Sequence, residues 1–564
     1  MSEINIPEKI ERALLSAARG YVRENFPDKE FPGDIHGCIQ PTRESKHGDL
    51  SSNIAMRLAS FLKSPPDRIG KGMIEAFRAA LEASGLKEYV RTVELKGGFI
   101  NLGLSDLYYR ELLKDIHRQG PSFGQSSEGN GKKVNIEFVS ANPTGPLTIA
   151  HGRQAAIGDA LARILECNGY DVTREYYLND VGNQINMLGK SLEVRYRELA
   201  GESAEMPEDG YMGEYIVEMA KELKKGGDEG DISESRLDGN FFRDYAVGRI
   251  LEMIKKDLED FGVRFDVWTE QSGIEARNEV ETTLDELDKA GYIFDFEGAR
   301  WFRSTGFGDD KDRVVVKSDG SFTYLAPDMA YHRDKYARGY EKIIDLLGPD
   351  HHGYIKRMKA AVQALGHDEK SLDILIVQLV TLMRGGIPVS MSTRKGEFVS
   401  LRELLDDIGP DVTRFFFLSR RLDSHLDIDV ELAKKESSEN PVYYMQYAHA
   451  RIRSIQKFSE GMPKRALFVR TRLELLAEEG ERQLMRKLNE FPFAVRSSAE
   501  ALEPNRLLTY LNELARCFHS FYTTCRVVTD DLALSKARLF LVECARITLA
   551  NGLGILNISL PERM

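Results

Sequence analysis

The sequence predicts a multidomain α/β protein in which a parallel-sheet domain follows a small α+β domain and precedes an all-α helical bundle. Three observations predict it. The chain has 564 residues, more than one hydrophobic core usually supports, so about two to four domains are expected. A strand, loop, helix, strand succession starts at Val134. After about Val430 glycine and proline thin out and long helical periods take over.

The elements follow in order. Lys9 to Glu24 has a helical period, ESKHGDLSSN is a polar loop, Ile54 to Leu62 is a second helical run, and VRTVELKGGFINLGL alternates as strands do. These form an N-terminal α+β domain over residues 1–120. The Gly/Ser-rich stretch Pro121 to Lys133 marks a boundary by its lack of apolar residues. Then VNIEFVS, ANPTGPLTIAHG, RQAAIGDALARILECNG and DVTREYYL make a βαβ unit, with Ile157, Leu161, Ile164 and Leu165 striping the helix and Gly169 placed to end it. A Rossmann-like parallel sheet is the economical reading for residues 121–430, with an insertion near 190–280. Within it, Glu202 to Asp238 is rich in glycine and acidic residues and reads as a surface insertion. Residues 431–564 form the helical bundle, where Leu507, Leu511, Leu514, Phe518, Phe521 and Cys525 mark one face of a long helix.

Apolar residues at 42% and charged residues at 29% exclude a largely disordered chain. The charged N-terminus and the lack of any run near the roughly 18 apolar residues of a membrane span predict a cytoplasmic protein without a membrane partner. Cys38, Cys167, Cys517, Cys525 and Cys544 are scattered and contain no C-x-x-C pair, so neither a disulfide framework nor zinc is expected. The net charge of −12 hides an asymmetry: residues 1–439 hold 59 Lys+Arg against 76 Asp+Glu, whereas residues 440–564 hold 18 against 13. The basic C-terminal part fits a local polyanion-binding face, and equally an ordinary solvated helical surface.

Two loops could carry chemistry. Ala141 to Arg153 (ANPTGPLTIAHGR) connects a strand to a helix, where backbone N–H groups and the positive helix end suit phosphates, and His151 can donate to a phosphoryl oxygen. A structural turn with a capping histidine is the competing reading. Ser390 to Leu401 (SMSTRKGEFVSL) is a small-residue loop bearing Arg394 and Lys395, able to meet a polyphosphate or to stand as a solvated basic turn.

Together these loops resemble the HIGH and KMSKS signatures of class I aminoacyl-tRNA synthetases. VSANPTGPL, YYLNDVGNQI, KSDGSFTYLAPDMAYH and GPDHHGYIKRM are similar to segments of the arginyl-tRNA synthetase family. NPVYYMQYAHARI and CFHSFYTTCRV resemble its helical anticodon-binding domain, and GDLSSNIAMRLA and GGFINLGL its additional N-terminal domain, which holds the tRNA elbow. The resemblance covers nearly the whole chain. Two departures stand out: the first signature reads Thr148, Ile149, Ala150, His151, and the second reads Ser390, Met391, Ser392, Thr393, Arg394, without its lysines.

The resemblance implies an arginine–tRNA ligase: arginyl-adenylate forms from L-arginine and ATP, with tRNA(Arg) needed for that step, and the arginyl group passes to the terminal adenosine. It assigns catalysis to Thr148, His151, Arg394 and Lys395, and ATP binding to Pro143, Gly145, Pro146, Ala150, His151, Met391 and Ser392. Glu137, Asn142, Tyr324 and Asp328 are implied arginine contacts. Carboxylates suit a planar, permanently charged guanidinium. Tyr324 and Asp328, four apart, would share a helical face. Asp350, His351 and His352 border the same pocket in this reading. Mg2+ accompanies ATP, and a monomer is expected. Tyr443, Tyr447, Arg451, His519, Tyr522 and Arg526 mix aromatic and basic side chains that suit splayed anticodon bases. Two other readings are a non-catalytic tRNA-binding derivative, which has no need of an arginine pocket, and a cysteinyl-type enzyme, which the scattered cysteines disfavour.

Overall fold

The computed structural model describes residues 6–33, 35, 37–42, 44–228, 239–389, 399–435, 437, 439–458 and 471–563. Helix α1 (Ile6–Asn25) buries Ile10, Leu14, Ala18 and Val22, the stripe its helical period foretold. Strands β1 (Ile39–Pro41) and β2 (Leu50–Ser52), helices α2 (Ile54–Leu62) and α3 (Pro66–Ala83), and the hairpin β3 (Val90–Lys96) and β4 (Phe99–Leu104) complete a four-stranded antiparallel α+β unit. Helix α4 (Asp106–Gln119), capped by the Ser105 hydroxyl, leads out of it.

The central unit begins with β5 (Lys133–Glu137), α5 (Ile149–Cys167) and β6 (Asp171–Leu178), the expected βαβ. Gly169, at φ +83°, is the left-handed residue beyond the end of α5. Helices α6 (Asn183–Leu199), α7 (Glu214–Asp228) and α8 (Gly239–Asp260) precede β7 (Val267–Glu270). Of the stretch expected as a surface insertion, residues 202–228 are described: α7 lies in it, burying Ile216, Met219, Ala220 and Leu223 on one face and exposing Glu218, Lys221, Glu222 and Lys225 on the other. Helices α9 (Gln271–Ala276) and α10 (Glu279–Lys289) lead to a small antiparallel sheet of β8 (Ile293–Phe296), β9 (Ala299–Phe302) and β10 (Arg313–Val316). Then come α11 (Leu325–Ala337), β11 (Lys342–Leu347), α12 (Ile355–Ala364) and β12 (Leu372–Ile376).

Five parallel strands stand in the order β12-β11-β5-β6-β7. The chain winds from β5 towards β7 and returns to the other side of β5 with β11, so the strand order reverses between β5 and β11. Ligands of open parallel sheets bind at such a reversal, beyond the carboxyl ends of the strands. A second, mixed sheet contains β13 (Val380–Arg384), β14 (Ile387–Pro388) and, after α13 (Leu401–Ile408) and α14 (Pro410–Leu418), β15 (Leu426–Asp429), parallel to β13.

A short α15 (Val430–Ala433) opens the helical unit of α16 (Pro441–Phe458), α17 (Glu479–Asn489), α18 (Phe491–Ala501), α19 (Asn505–Thr524) and α20 (Leu532–Ile555). Leu507, Leu511, Leu514, Phe518 and Phe521 are buried as the period predicts, with Cys525 just past the helix end. The helical unit docks on the N-terminal one. Arg486 pairs with Asp49 at 3.2 Å, and Arg496 donates to the Ile39 carbonyl at 2.8 Å. Among the described residues no helix is long and apolar enough to cross a membrane.

Candidate active site

A cleft of about 1060 Å³ opens beyond the ends of β5 and β11. After Glu137 the backbone turns abruptly, with Val139 at φ +68° and Ser140 at φ +38°, a conformation costly for a β-branched residue. Hydrogen bonds hold the turn. The Ser140 hydroxyl donates to Glu137 at 2.9 Å and accepts from the Tyr177 N–H at 3.1 Å, while the Tyr176 phenol donates to the Ala141 carbonyl at 2.9 Å. Ala141 and Asn142 thereby face the cleft. From outside, the Tyr215 phenol donates to the Thr144 carbonyl at 2.7 Å and packs over Gly145.

Glu137 and Asp345 lie opposite each other in the register of β5 and β11. Two adjacent carboxylates need a cation, and Lys335 supplies it: its fully buried ammonium donates to Glu137 at 2.6 Å and to Asp345 at 2.8 Å. His332 lies within 2.9 Å of Asp345 through Nε2 and 2.8 Å of the Asp328 carbonyl through Nδ1. Burial opposes ionisation of Asp345, but Lys335 and His332 outweigh it and hold that carboxyl well below the usual range. Burial likewise raises the Glu137 carboxyl, against the pull of Lys335. Behind this cluster Glu175 accepts from Tyr331 and Arg338, each at 2.9 Å.

Asp328 is different. It lies in the first turn of α11, and its carboxylate accepts from the Tyr354 phenol. Burial pushes it up to about 6, the Tyr354 hydrogen bond acting the other way. Tyr324, at the N-cap of the same helix, is 89% exposed and lines the cleft. Pro327, within the first turn where a missing N–H costs nothing, does not interrupt the helix. Asp350 and His351 also line the cleft, whereas His352 is not among its lining residues.

Helix α5 enters the cleft with Ala150, His151 and Gln154. The His151 Nδ1 accepts from the Thr148 N–H at 3.2 Å, so the proton of the neutral ring sits on Nε2. Burial pushes the imidazole down to about 4. The same helix packs closely on its strand, because a Cβ on Gly158 would lie 2.2 Å from the Phe138 ring. The structure does not bring all the expected loop residues to the cleft. Thr148 is the N-cap residue of α5, and neither it nor Pro143, Gly145 or Pro146 is among the lining residues. Met391, Ser392, Arg394 and Lys395 lie outside the described residues. The anchor that follows them is described: Leu401 N–H donates to the Leu147 carbonyl at 2.7 Å, and Ser400 pairs with Thr148. The segment that follows the second signature is therefore joined by backbone to the end of the first loop.

On the helical unit, Tyr443 stacks on Tyr447 at 6.3 Å, Tyr447 on His519 at 5.8 Å, and Arg451 lies over Tyr447 and Tyr522 at 5.5 and 4.8 Å. Arg526 stands apart, beyond the end of α19, and is exposed.

Lys335, Asp345, His332 and Tyr354 escaped the sequence reading. A signal existed, since Asp328, His332 and Lys335 fall at i, i+4 and i+7 and put three polar groups on one face of a helix bordering the cleft.

Residues 5–104 match the model of the arginyl tRNA synthetase N terminal domain, residues 113–414 that of the tRNA synthetases class I (R) catalytic domain, and residues 445–564 that of the DALR anticodon binding domain. The arginine–tRNA ligase of Citrifermentans bemidjiense is 47% identical over 530 residues, covering 93% of this chain and 94% of its own. That of Anoxybacillus flavithermus is 44% identical over 565 residues, covering 100% of both chains. The solved structure of Thermus thermophilus arginyl-tRNA synthetase, at 21% identity, shares the fold with a TM-score of 0.74 over 98% of this chain and 100% of that one. With the three family models standing in that order along one chain and relatives matching at full length, the chain belongs to the class I arginyl-tRNA synthetases.

Proposed function

We propose that the cleft activates L-arginine with ATP and that the chain then charges tRNA(Arg), with bound tRNA required for the first step. An oxygen of the arginine carboxylate attacks the α-phosphorus of ATP, the bond to the β-phosphate breaks, and pyrophosphate leaves. A hydroxyl of the terminal adenosine then attacks the arginyl carbonyl and AMP leaves. Neither step needs a protein nucleophile, so positioning and electrostatics carry the rate.

The observation that carries the reading is the buried carboxylate of Asp328, which lines the cleft. Glu137 and Asp345 already share Lys335, whereas Asp328 meets the Tyr354 phenol and, from farther off, His332 and His351, with no lysine or arginine pairing with it among the described residues. A guanidinium placed there would bring the missing charge and a fork of N–H donors. In this reading Glu137, Asn142 and Tyr324 contact the same substrate. His151 donates from Nε2 to a phosphoryl oxygen at the N-terminus of α5, beside Ala150. Arg394 and Lys395 supply further phosphate contacts, with Met391 and Ser392 in the same loop. Mg2+ would accompany ATP and offset the charge of its phosphates. Tyr443, Tyr447, Arg451, His519 and Tyr522 offer a stacked aromatic and cationic face to anticodon bases, and the N-terminal unit meets the tRNA elbow.

Pyrophosphate release measured over a panel of amino acids, with and without bulk tRNA, tests the reading. Release with arginine and tRNA together is the expected result. Release with another amino acid, or with arginine alone at the same rate, would sink the corresponding part.

A further inference from the structure

Arg153 lies two residues beyond His151 and is wholly buried. Its guanidinium meets backbone carbonyls where a carboxylate would be expected. Nη1 donates to Gln378 at 2.8 Å, Ser424 at 2.9 Å and, at 3.4 Å, Leu379; Nη2 donates to Arg421 at 2.9 Å. Nε has no acceptor. Among the described residues no carboxylate comes within ion-pair distance of it. A buried cation without a direct ion pair is expensive, the opposite charge that acts on it being Asp423 in the same turn as Arg421 and Ser424, so a fold that keeps one uses its geometry. Only a planar fork with donors fixed in several directions can reach carbonyls from two separate segments at once.

Those segments matter to the cleft. Val377, Gln378 and Leu379 form part of its wall and run directly into β13; Arg421 to Ser424 form the turn before β15. Backbone bonds already lace the two together, from Gln378 N–H to the Leu422 carbonyl at 2.9 Å and from Leu426 N–H to the Leu379 carbonyl at 3.2 Å. The lacing also needs a register against α5. Arg153 provides it by side-chain hydrogen bonds from the same helical turn that carries His151, and Gln378, Leu379 and His151 all line the cleft.

We propose that Arg153 is a positioning residue: its guanidinium fixes the cleft wall Val377–Leu379 and the turn Arg421–Ser424 against the helix that presents His151, and so sets the width of the ATP side of the cleft. The proposal rests on the reading of that side as the ATP site.

Arg153→Lys in the full-length chain keeps the charge and loses the fork. Its KM for ATP is expected to rise about tenfold with a similar fall in kcat, while its KM for arginine stays within about twofold, since displacements near 1 Å weigh heavily on reacting geometry. A folded Arg153→Lys enzyme with unchanged ATP kinetics overturns the proposal, and so does an equal rise in both KM values, which a general loss of structure would give. Wild type is run in the same assay: inactive wild type strikes the reading of the cleft, whereas active wild type beside an unaffected variant strikes Arg153 alone. Native-state hydrogen exchange on wild type needs no variant to fold and no activity. The amides of Gln378 and Leu426 and those of Gly152 to Ala156 in α5 are expected to open with one common free energy across a denaturant series, and independent opening overturns the proposal.

Discussion

The buried carboxylate of Asp328 accepts a hydrogen bond from the phenol of Tyr354 and, among the described residues, meets no lysine or arginine. Burial has raised its pKa to about 6, so a proton and a substrate guanidinium compete for the same oxygens. Above that pH the carboxylate is charged and ready for the cation; below it the proton is in place. We therefore expect kcat/KM for arginine to be level at neutral pH and to fall about tenfold per unit below an apparent pKa near 6. Tyr354→Phe removes the bond that favours the charged form, so the acid limb should move to higher pH. Asp328→Asn should lose the limb and about 2–5 kcal/mol of transition-state binding, the usual cost of truncating a buried charge pair. An unchanged limb in Asp328→Asn would assign the titration elsewhere.

His151 should act as a neutral donor. Its ring is held with Nδ1 accepting from Thr148, and burial keeps it from charging until about pH 4. His151→Ala is expected to lower kcat by about 10²–10³-fold, the loss of one donor aimed at developing charge. His151→Gln, whose amide N–H can still donate, should recover part of that. Because the imidazole does not titrate near neutrality, kcat measured between about pH 5.5 and 8 should show no limb that disappears in His151→Gln. Such a limb would point to the imidazolium as the active species.

What the sequence revealed and concealed follows from range. The βαβ unit, the α1 stripe and the α19 face were legible because each is written in a local period. Asp328 and Glu137 were legible through the strings around them, and Asp328 with Tyr324 through a spacing of four. The division of labour between the carboxylates was not. It depends on Glu137 and Asp345 facing each other across β5 and β11, more than 200 residues apart, and on Lys335 reaching both. The placing of Thr148 as a cap rather than a cleft residue, and of Pro143, Gly145 and Pro146 away from the lining, depends on the turn at Val139 and Ser140, where residues that disfavour positive φ adopt it. The small sheet of β8, β9 and β10 did leave a mark, since Glu297 and Gly298 at φ +49° and +77° make the kind of hairpin turn that a glycine allows.

Lys335 is the counter-charge of two buried acids, and its removal should be felt in stability. Lys335→Met fills the space but leaves Glu137 and Asp345 facing each other, a loss of about 3–5 kcal/mol for breaking a buried ionic cluster. The sign with pH follows from the directions of the shifts. Asp345 is held below its unfolded value by Lys335 and His332, so its contribution is present above the unfolded carboxyl range and fades as pH falls. Glu137, already raised, takes up a proton first and relieves the repulsion in the variant. The gap in urea midpoint between wild type and Lys335→Met should thus be widest near pH 7 and narrow towards pH 4. A gap independent of pH would mean that packing, not charge, is what Lys335 supplies.

Gly152 separates His151 from Arg153 and marks where α5 meets the segment after the second signature loop. A Cβ at Gly152 would lie 2.6 Å from Leu401 Cδ1 and 3.1 Å from the Phe417 ring, and both neighbours are buried and cannot swing away. Leu401 is also the residue whose N–H reaches the Leu147 carbonyl, so pushing it away pulls on the bond that joins the segment after the second signature to the end of the first loop. Overpacking of this size costs about 1–3 kcal/mol in stability. The catalytic loss should be larger than that figure suggests, because the shift falls on the turn that carries His151, and near 1 Å of misplacement can cost about a hundredfold in rate. Gly152→Ala should remain folded at 25 °C, with a lowered urea midpoint and a kcat reduced at least tenfold. Leu401→Ala in the same chain should restore part of the rate by making room for the methyl group. If the double variant is no faster than Gly152→Ala, the contact with Leu401 is not what holds His151 in place.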